Sequence, residues 1–347
     1  MTSQKIESVF NAWNSGDDFS GAFCVSGPDG VIFRQARGYR NMPEMLPNLH
    51  DTAFGIASGA KMFTGLAACK LIDEKKLALD DKICDALKRD LGRIDKGATI
   101  FQLLTHTSGV GDYIDEEAED SAERLQALRD KYPAHLWESL EYYLQMISPL
   151  PMKFEPGARF CYSNSGYVLL GLAIEAASGV SYQRFVHENI IAPCGLERTG
   201  FYRADSLPAN AARGYMRDDE TGEWRSNVFS LPILGGSDGG IFTCADDLRK
   251  LWAAIFSGKI LSPEMTEAFL KPQARIDEDE SYGLGVYRHE KGDDLLYFAV
   301  GGDAGVDFFT AYFPRAGLVA SALGNTEKNT FSLLEELAGA VWEADGE

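Results

Sequence analysis

Strand-like segments stand at both ends of this chain, and a helix-patterned middle keeps them apart. Residues 21–37 alternate about a Pro28-Asp29-Gly30 turn, with Ala22-Phe23-Cys24-Val25-Ser26 on one side and Val31-Ile32-Phe33-Arg34 on the other, which is the pattern of a β-hairpin. Four further strand-like segments, 282–289, 295–301, 306–313 and 317–324, crowd the other end. Between them run apolar helical stretches such as 166–175. Strands from both termini are most easily joined in one antiparallel sheet, with the middle forming a helical lobe and a site at the junction. The expected fold is therefore α/β in content and α+β in arrangement, an antiparallel sheet flanked by helices plus an all-helical subdomain. With 347 residues and 45% hydrophobic content, residues 1–347 can share one large core. We expect a single unit, with a sheet-containing subdomain from about 1–57 and 235–347 and a helical one from about 58–234.

A formal charge of −19 argues against nucleic acid and against an anionic membrane as partner. The first ten residues lack the apolar stretch of a signal peptide, and no window approaches the roughly 18 apolar residues of a membrane span. The sequence as it stands reads as cytoplasmic, or as periplasmic or secreted if a leader has been removed. Cysteines 24, 69, 84, 161, 194 and 244 include no Cys-x-x-Cys pair and read as reduced, small buried hydrophobes. No metal-ligand series is visible and no cofactor is expected. The expected partner is a small-molecule or peptide substrate, with the oligomeric state left open.

Chemistry concentrates in Ser58-Gly59-Ala60-Lys61. No other serine here has a lysine three residues downstream. Met62, Phe63, Leu66, Ala67 and Leu71 follow at near-helical spacing, so Ser58 begins a helix and Lys61 lies one turn on, on the same face. A serine hydroxyl needs a neighbour to take its proton. A partly desolvated lysine of lowered pKa can do so, and the helix N-terminus favours the developing negative charge. Further on, Tyr162-Ser163-Asn164 follows the turn signal Glu155-Pro156-Gly157 and precedes an apolar helix. A phenol there can relay a proton, and an asparagine amide can hold a substrate carbonyl or contact the lysine. Tyr39-Arg40-Asn41 repeats the Tyr-x-Asn pattern but reads as a strand end and turn.

These motifs, together with Leu103-Leu104-Thr105-His106-Thr107-Ser108-Gly109, Phe154-Glu155-Pro156-Gly157 and Gly239-Gly240-Ile241-Phe242-Thr243, make nearly the whole chain resemble the serine β-lactamase and penicillin-binding-protein superfamily. The similarity is to the branch of class C β-lactamases, DD-peptidases and related esterases. It implies a β-lactamase/transpeptidase-like fold, Ser58 as nucleophile, Lys61 as its base and Tyr162 as proton shuttle. It also implies Asn164, Gly301, Gly302 and Asp303 at the substrate, and an oxyanion hole from the N–H groups of Ser58 and Gly302. The third family motif departs. Family members carry Lys-Thr-Gly or His-x-Gly there, whereas this chain reads Ala299-Val300-Gly301-Gly302-Asp303-Ala304-Gly305, without the cation. The glycines needed for a backbone oxyanion hole remain.

Several competing features are weighed against this. Gly235-Gly236-Ser237-Asp238-Gly239 matches a nucleophile elbow, with His289 downstream, but Ile241-Phe242 extends the chain where an elbow demands a helix. Thr243 with Asp246 reads instead as an acidic capping box for a separate helix. His106 reads as a buried, hydrogen-bonded residue at a helix end. Cys161 lacks the local base that Ser58 has. The run Asp112, Asp115, Glu116, Glu117, Glu119 and Asp120 reads as a solvated face or as an acidic rim that disfavours anionic ligands. Since Ala299 cannot hold a carboxylate, the expected function is an acyl-enzyme serine hydrolase of esterase, amidase or D-amino-acid peptidase type. The alternatives are a true β-lactamase or D-Ala-D-Ala carboxypeptidase, and, from another class, an inactive binding protein on the same fold.

Overall fold

The computed structural model describes residues 1–116, 118 and 120–346. Its central feature is an eight-stranded sheet, each strand antiparallel to its neighbours. The strands run in space as Gly30–Arg37, Gly21–Gly27, Leu318–Gly324, Val306–Phe313, Asp294–Asp303, Tyr287–Lys291, Glu280–Tyr282 and Ala274–Arg275. The N-terminal hairpin thus closes onto the last strand, with Gly21 opposite Gly324 and Ser26 opposite Val319. Strand period sorts the side chains. Phe23, Val25, Phe309 and Ala311 enter one core, while Ala22, Cys24, Phe308 and Leu323 enter the other.

The first of these cores is closed by helices at both termini, which the strand-rich reading of the chain ends does not anticipate. Ser3–Trp13 buries Ile6 and Phe10 at a spacing of four, with Thr2 capping its start by accepting from the Lys5 amide. Thr330–Gly346 places Leu333, Leu334, Leu337 and Val341 beside them. The second core is much larger. It runs continuously from the sheet through Ala60–Asp73, Asn164–Ser178 and Ala245–Phe256.

The helix Ala60–Asp73 is buried on nearly all sides, Lys61 included, and is preceded by one 3-10 turn, Ala57–Gly59, that holds Ser58. Gly65 in its middle allows close packing: a Cβ there would stand 2.1 Å from the carbonyl oxygen of Leu284. A short strand pair, Phe54–Gly55 with Phe242–Thr243, ties the Ser58 turn to the glycine-rich segment 235–240. The capping expectation at Thr243 is corrected here. Cys244 is the N-cap of Ala245–Phe256, and the Thr243 hydroxyl shares a 2.7 Å hydrogen bond with Thr199.

Candidate active site

Ser58 is presented by a strained turn. Ala57 takes φ +42°, in the left-handed region that a residue with a Cβ avoids. The turn is pinned by Gly59 N–H donating to Ile56 O at 2.8 Å, by Ile56 N–H donating to Ile241 O at 3.0 Å and by Gly240 N–H donating to Ala57 O at 3.3 Å. One helical turn on, Lys61 Nζ lies 3.0 Å from Ser58 Oγ, 2.7 Å from Asn164 Oδ1 and 2.7 Å from the Asp238 carbonyl oxygen. A neutral amine has two N–H donors and one lone pair. The amide and carbonyl oxygens can only accept, so they take the donors and leave the lone pair to the serine proton. Burial lowers the Lys61 pKa, an effect opposed by the charges of Asp238, Glu116, Asp112 and Asp303.

Tyr162 completes the group. Its hydroxyl interacts with Ser58 and its ring lies under Lys61, 4.8 Å from Nζ to the centroid. Burial raises its pKa well above the ordinary value, so it stays a phenol that can pass a proton but does not stand as a phenolate. The other face of the ring rests on His106, 4.6 Å between centroids. Buried His106 accepts from the Ser163 amide at Nδ1, 3.0 Å, which puts its own proton on Nε2; burial holds its pKa well below the usual range. It is a neutral prop, in line with the sequence expectation.

Asn164 is the first residue of its helix, where the half-buried Asp112 carboxylate accepts from the amides of Asn164 (2.8 Å) and Ser165 (2.9 Å) and from the Ser165 hydroxyl (3.0 Å). Burial pushes Asp112 up to about 7 despite these bonds. Glu116 accepts from the Asn164 side-chain nitrogen at 3.0 Å, which turns the amide oxygen toward Lys61. The acidic run is therefore divided. Asp112 and Glu116 belong to the site, Asp115 pairs with Lys153 at 2.7 Å, and Asp120 pairs with Arg124 in solvent at 2.6 Å. Glu117 and Glu119 lie outside the described residues.

A cavity of about 460 Å³ opens in front of Ser58. Asn164, Gly302 and Asp303 line it, with Tyr113, Trp137, Tyr143, Leu231 and Phe242 among the apolar residues of its wall. Two assignments change. Gly301 does not line the cavity: a Cβ there would meet Ile56 O at 2.2 Å and the amide nitrogens of Ser58 and Gly59 at 2.9 Å, so this glycine lets the strand lie against the Ser58 turn. Ala299 is also absent from the cavity wall and is packed in the large core at 5% exposure. Among the described residues the arginines that line the wall are Arg213 and Arg129. Arg129 is a residue that sequence reading passed over, and it faces Asp303 at 3.8 Å. Arg217 and Arg225 do not line the cavity, and Arg225 is paired with Asp218.

Asp303 has its carboxyl pushed up to about 6 by the enclosing wall, partly countered by the Ala304 amide and by Arg129. Ser237, the elbow candidate, is fully buried with no partner for its hydroxyl, packed where a Cβ on Gly171 would lie 2.2 Å from its Oγ. Among the described residues no His, Cys, Asp and Glu group is suited to a metal ion. Gly301→Ala is expected to push the strand away from Ser58, lowering kcat at least about 100-fold while costing about 1–3 kcal/mol of stability. Parallel kinetics and thermal melts check this.

The Beta-lactamase family model matches residues 11–340. Penicillin-binding protein 4* of Bacillus subtilis is 29% identical over 295 residues, 81% of this chain, and the chain spans only 62% of that relative's length. Esterase EstB of Burkholderia gladioli is 29% identical over 78% of this chain and 75% of its own. Among solved structures, a penicillin binding protein from Bacillus halodurans superposes with a TM-score of 0.89 at 35% identity, covering 96% of this chain and 99% of the other. The chain therefore belongs to the Beta-lactamase family, whose members are serine hydrolases.

Proposed function

We propose that this protein is a serine hydrolase that works through an acyl-enzyme at Ser58 and cleaves ester, amide or peptide bonds next to neutral or amine-bearing groups. The observation that carries this reading is the coordination of buried Lys61, 3.0 Å from Ser58 Oγ, where the two obligate acceptors Asn164 Oδ1 and the Asp238 carbonyl leave the lone pair of the neutral amine for the Ser58 proton once Lys61 is deprotonated. Ser58 Oγ attacks the substrate carbonyl carbon as its proton passes to Lys61. The oxyanion meets the backbone N–H groups of Ser58 and Gly302. Collapse breaks the bond to the leaving group, which takes a proton by way of Tyr162, and water then repeats the sequence to release the acid. The similarity to an esterase and to penicillin-binding proteins supports acyl transfer as the reaction class.

The choice of substrate rests on charge. Glu116, Asp205, Asp238 and Asp303 line the cavity against Arg129 and Arg213, and Arg129 is already turned toward Asp303. An ammonium beside the scissile bond is favoured by this balance, and a carboxylate there is not. Paired ester substrates that differ only in that group, run at two ionic strengths, test it. The amine-bearing member should have the higher kcat/KM, with about a 10-fold or larger advantage from one charge-assisted hydrogen bond. A carboxylic acid of pKa about 6 is ionised only above that pH, so the advantage should fade as pH falls through about 6. Should the carboxylate-bearing member be preferred, Arg213 supplies the missing cation and the DD-peptidase or β-lactamase reading gains.

A further inference from the structure

Asp238 stands on the glycine-rich segment 235–240, buried at the cavity wall. Its backbone carbonyl accepts from Lys61 Nζ, a contact that any residue at this position could make. The carboxylate is not needed for that contact. It is costly to bury, and burial raises its pKa. The Tyr113 hydroxyl donates to it, and Tyr113 is held in turn by T-shaped packing on Trp137 (6.0 Å) and Tyr143 (5.4 Å). A buried carboxylate braced in this way beside a lysine has an effect that an uncharged side chain lacks. We infer that Asp238 is a positioning residue whose buried carboxylate, fixed in place by Tyr113 on the residue that contacts Lys61, acts on Lys61 through its charge. The inference rests on the reading of Lys61 as the base.

The other groups facing Lys61 do not duplicate this. Asp112 and Glu116 approach from residues 112–116, Asp303 from the strand Asp294–Asp303, the rings of Tyr162 and Tyr167 at 4.8 and 5.7 Å, and neutral His106 from behind Tyr162. Asp112 is spent on two amides and a hydroxyl, Glu116 accepts from the Asn164 side-chain amide, and Asp303 faces Arg129. Asp238 is satisfied by a neutral phenol and keeps its field. Its own carbonyl contact, 2.7 Å from Nζ, places Asp238 against Lys61.

The sign follows from charge. A carboxylate favours the ammonium form, so Asp238 holds the Lys61 pKa above the value that burial alone would produce. Asp238→Asn keeps the shape, the backbone carbonyl and an oxygen for Tyr113, but removes the charge. Lys61 should then lose its proton at lower pH, by about one to two units, the size of a single charge interaction of about 1.4–2.8 kcal/mol at an effective dielectric near 20. The rising limb of Ser58 acylation moves with it, and the plateau falls several-fold because the base is weaker. Tyr113→Phe removes the hydrogen bond that fixes the carboxylate and should shift the limb the same way, by less.

The test combines two readouts on wild type and both variants. Acylation of Ser58 by an activated ester is followed against pH by quenched intact mass, and Lys61 is titrated directly by its ¹³Cε resonance, assigned by its loss in Lys61→Arg. The expected result is a downward shift of the Lys61 midpoint in both variants, with the acylation limb following. A midpoint within about 0.3 units of wild type in both would overturn the inference, as would a lower acylation rate at every pH with no shift, the signature of a loop brace alone. If Asp238→Asn does not fold, an unshifted Tyr113→Phe is sufficient to reject it. An unreactive wild-type Ser58 would sink the hydrolase reading, and the Lys61 titration would still decide the role of Asp238.

Discussion

Ser58→Ala is expected to abolish both acyl-enzyme formation and turnover, with kcat falling by about 10⁴- to 10⁶-fold, the range in which loss of a serine nucleophile leaves only binding and oxyanion contacts. Lys61→Ala should lose nearly as much. The amine at 3.0 Å from Ser58 Oγ is the nearest proton acceptor the structure offers, and removing it also strands Asn164 Oδ1 and the Asp238 carbonyl oxygen in a buried site. Because the two act as a unit, the double variant should be little worse than either single one. Intact mass after treatment with a fluorophosphonate or a penicillin, followed by peptide mapping, reads the first result. Label found on Ser237 would reject the assignment, although its burial and lack of a partner make it a poor nucleophile. Near-normal turnover in Lys61→Ala would remove lysine from the role of base.

Tyr162→Phe should lower kcat by about 100- to 10,000-fold, equivalent to about 2.7–5.4 kcal/mol of barrier, with the fold intact. The ring keeps its contacts with His106 and Lys61, and only the hydroxyl that interacts with Ser58 is lost. Since Tyr162 is held as a phenol far above its ordinary pKa, its own deprotonation should not appear as a descending alkaline limb below about pH 10. Stopped-flow acylation with an activated ester and with an amide separates the two possibilities. A good leaving group needs no proton, so the amide should suffer more. Equal losses on both substrates would place the proton relay elsewhere.

The sheet and the Ser58-Lys61 pair were legible in the chain because each rests on local spacing. Alternation about residues 28–30 and at the C-terminal end specifies strands, and one helical turn specifies that Lys61 returns to Ser58. Tyr162 and Asn164 were legible through a turn followed by a helix start. The terminal helices were not, since Ser3–Trp13 and Thr330–Gly346 are short amphipathic segments whose partners lie at opposite ends of the sequence. Gly301 was assigned to substrate, yet only the packing of its strand on the Ser58 turn reveals that it serves close approach. The acidic run reads as uniform charge, and only the folded contacts, Asp112 on the Asn164 and Ser165 amides and Glu116 on the Asn164 side chain, separate these two from Asp120 with its pairing in solvent.

The sequence by itself determined the class of fold and singled out the candidate nucleophile and its candidate base, because those depend on residues a few positions apart or on periodic patterns. What only the tertiary structure decided is the electrostatic setting of Lys61 and the shape of the pocket. Asp238 lies 177 positions from Lys61 and Tyr113 lies 125 positions from Asp238. The desolvation and charge that tune a pKa act through space, over distances fixed only when the helical region closes on the sheet.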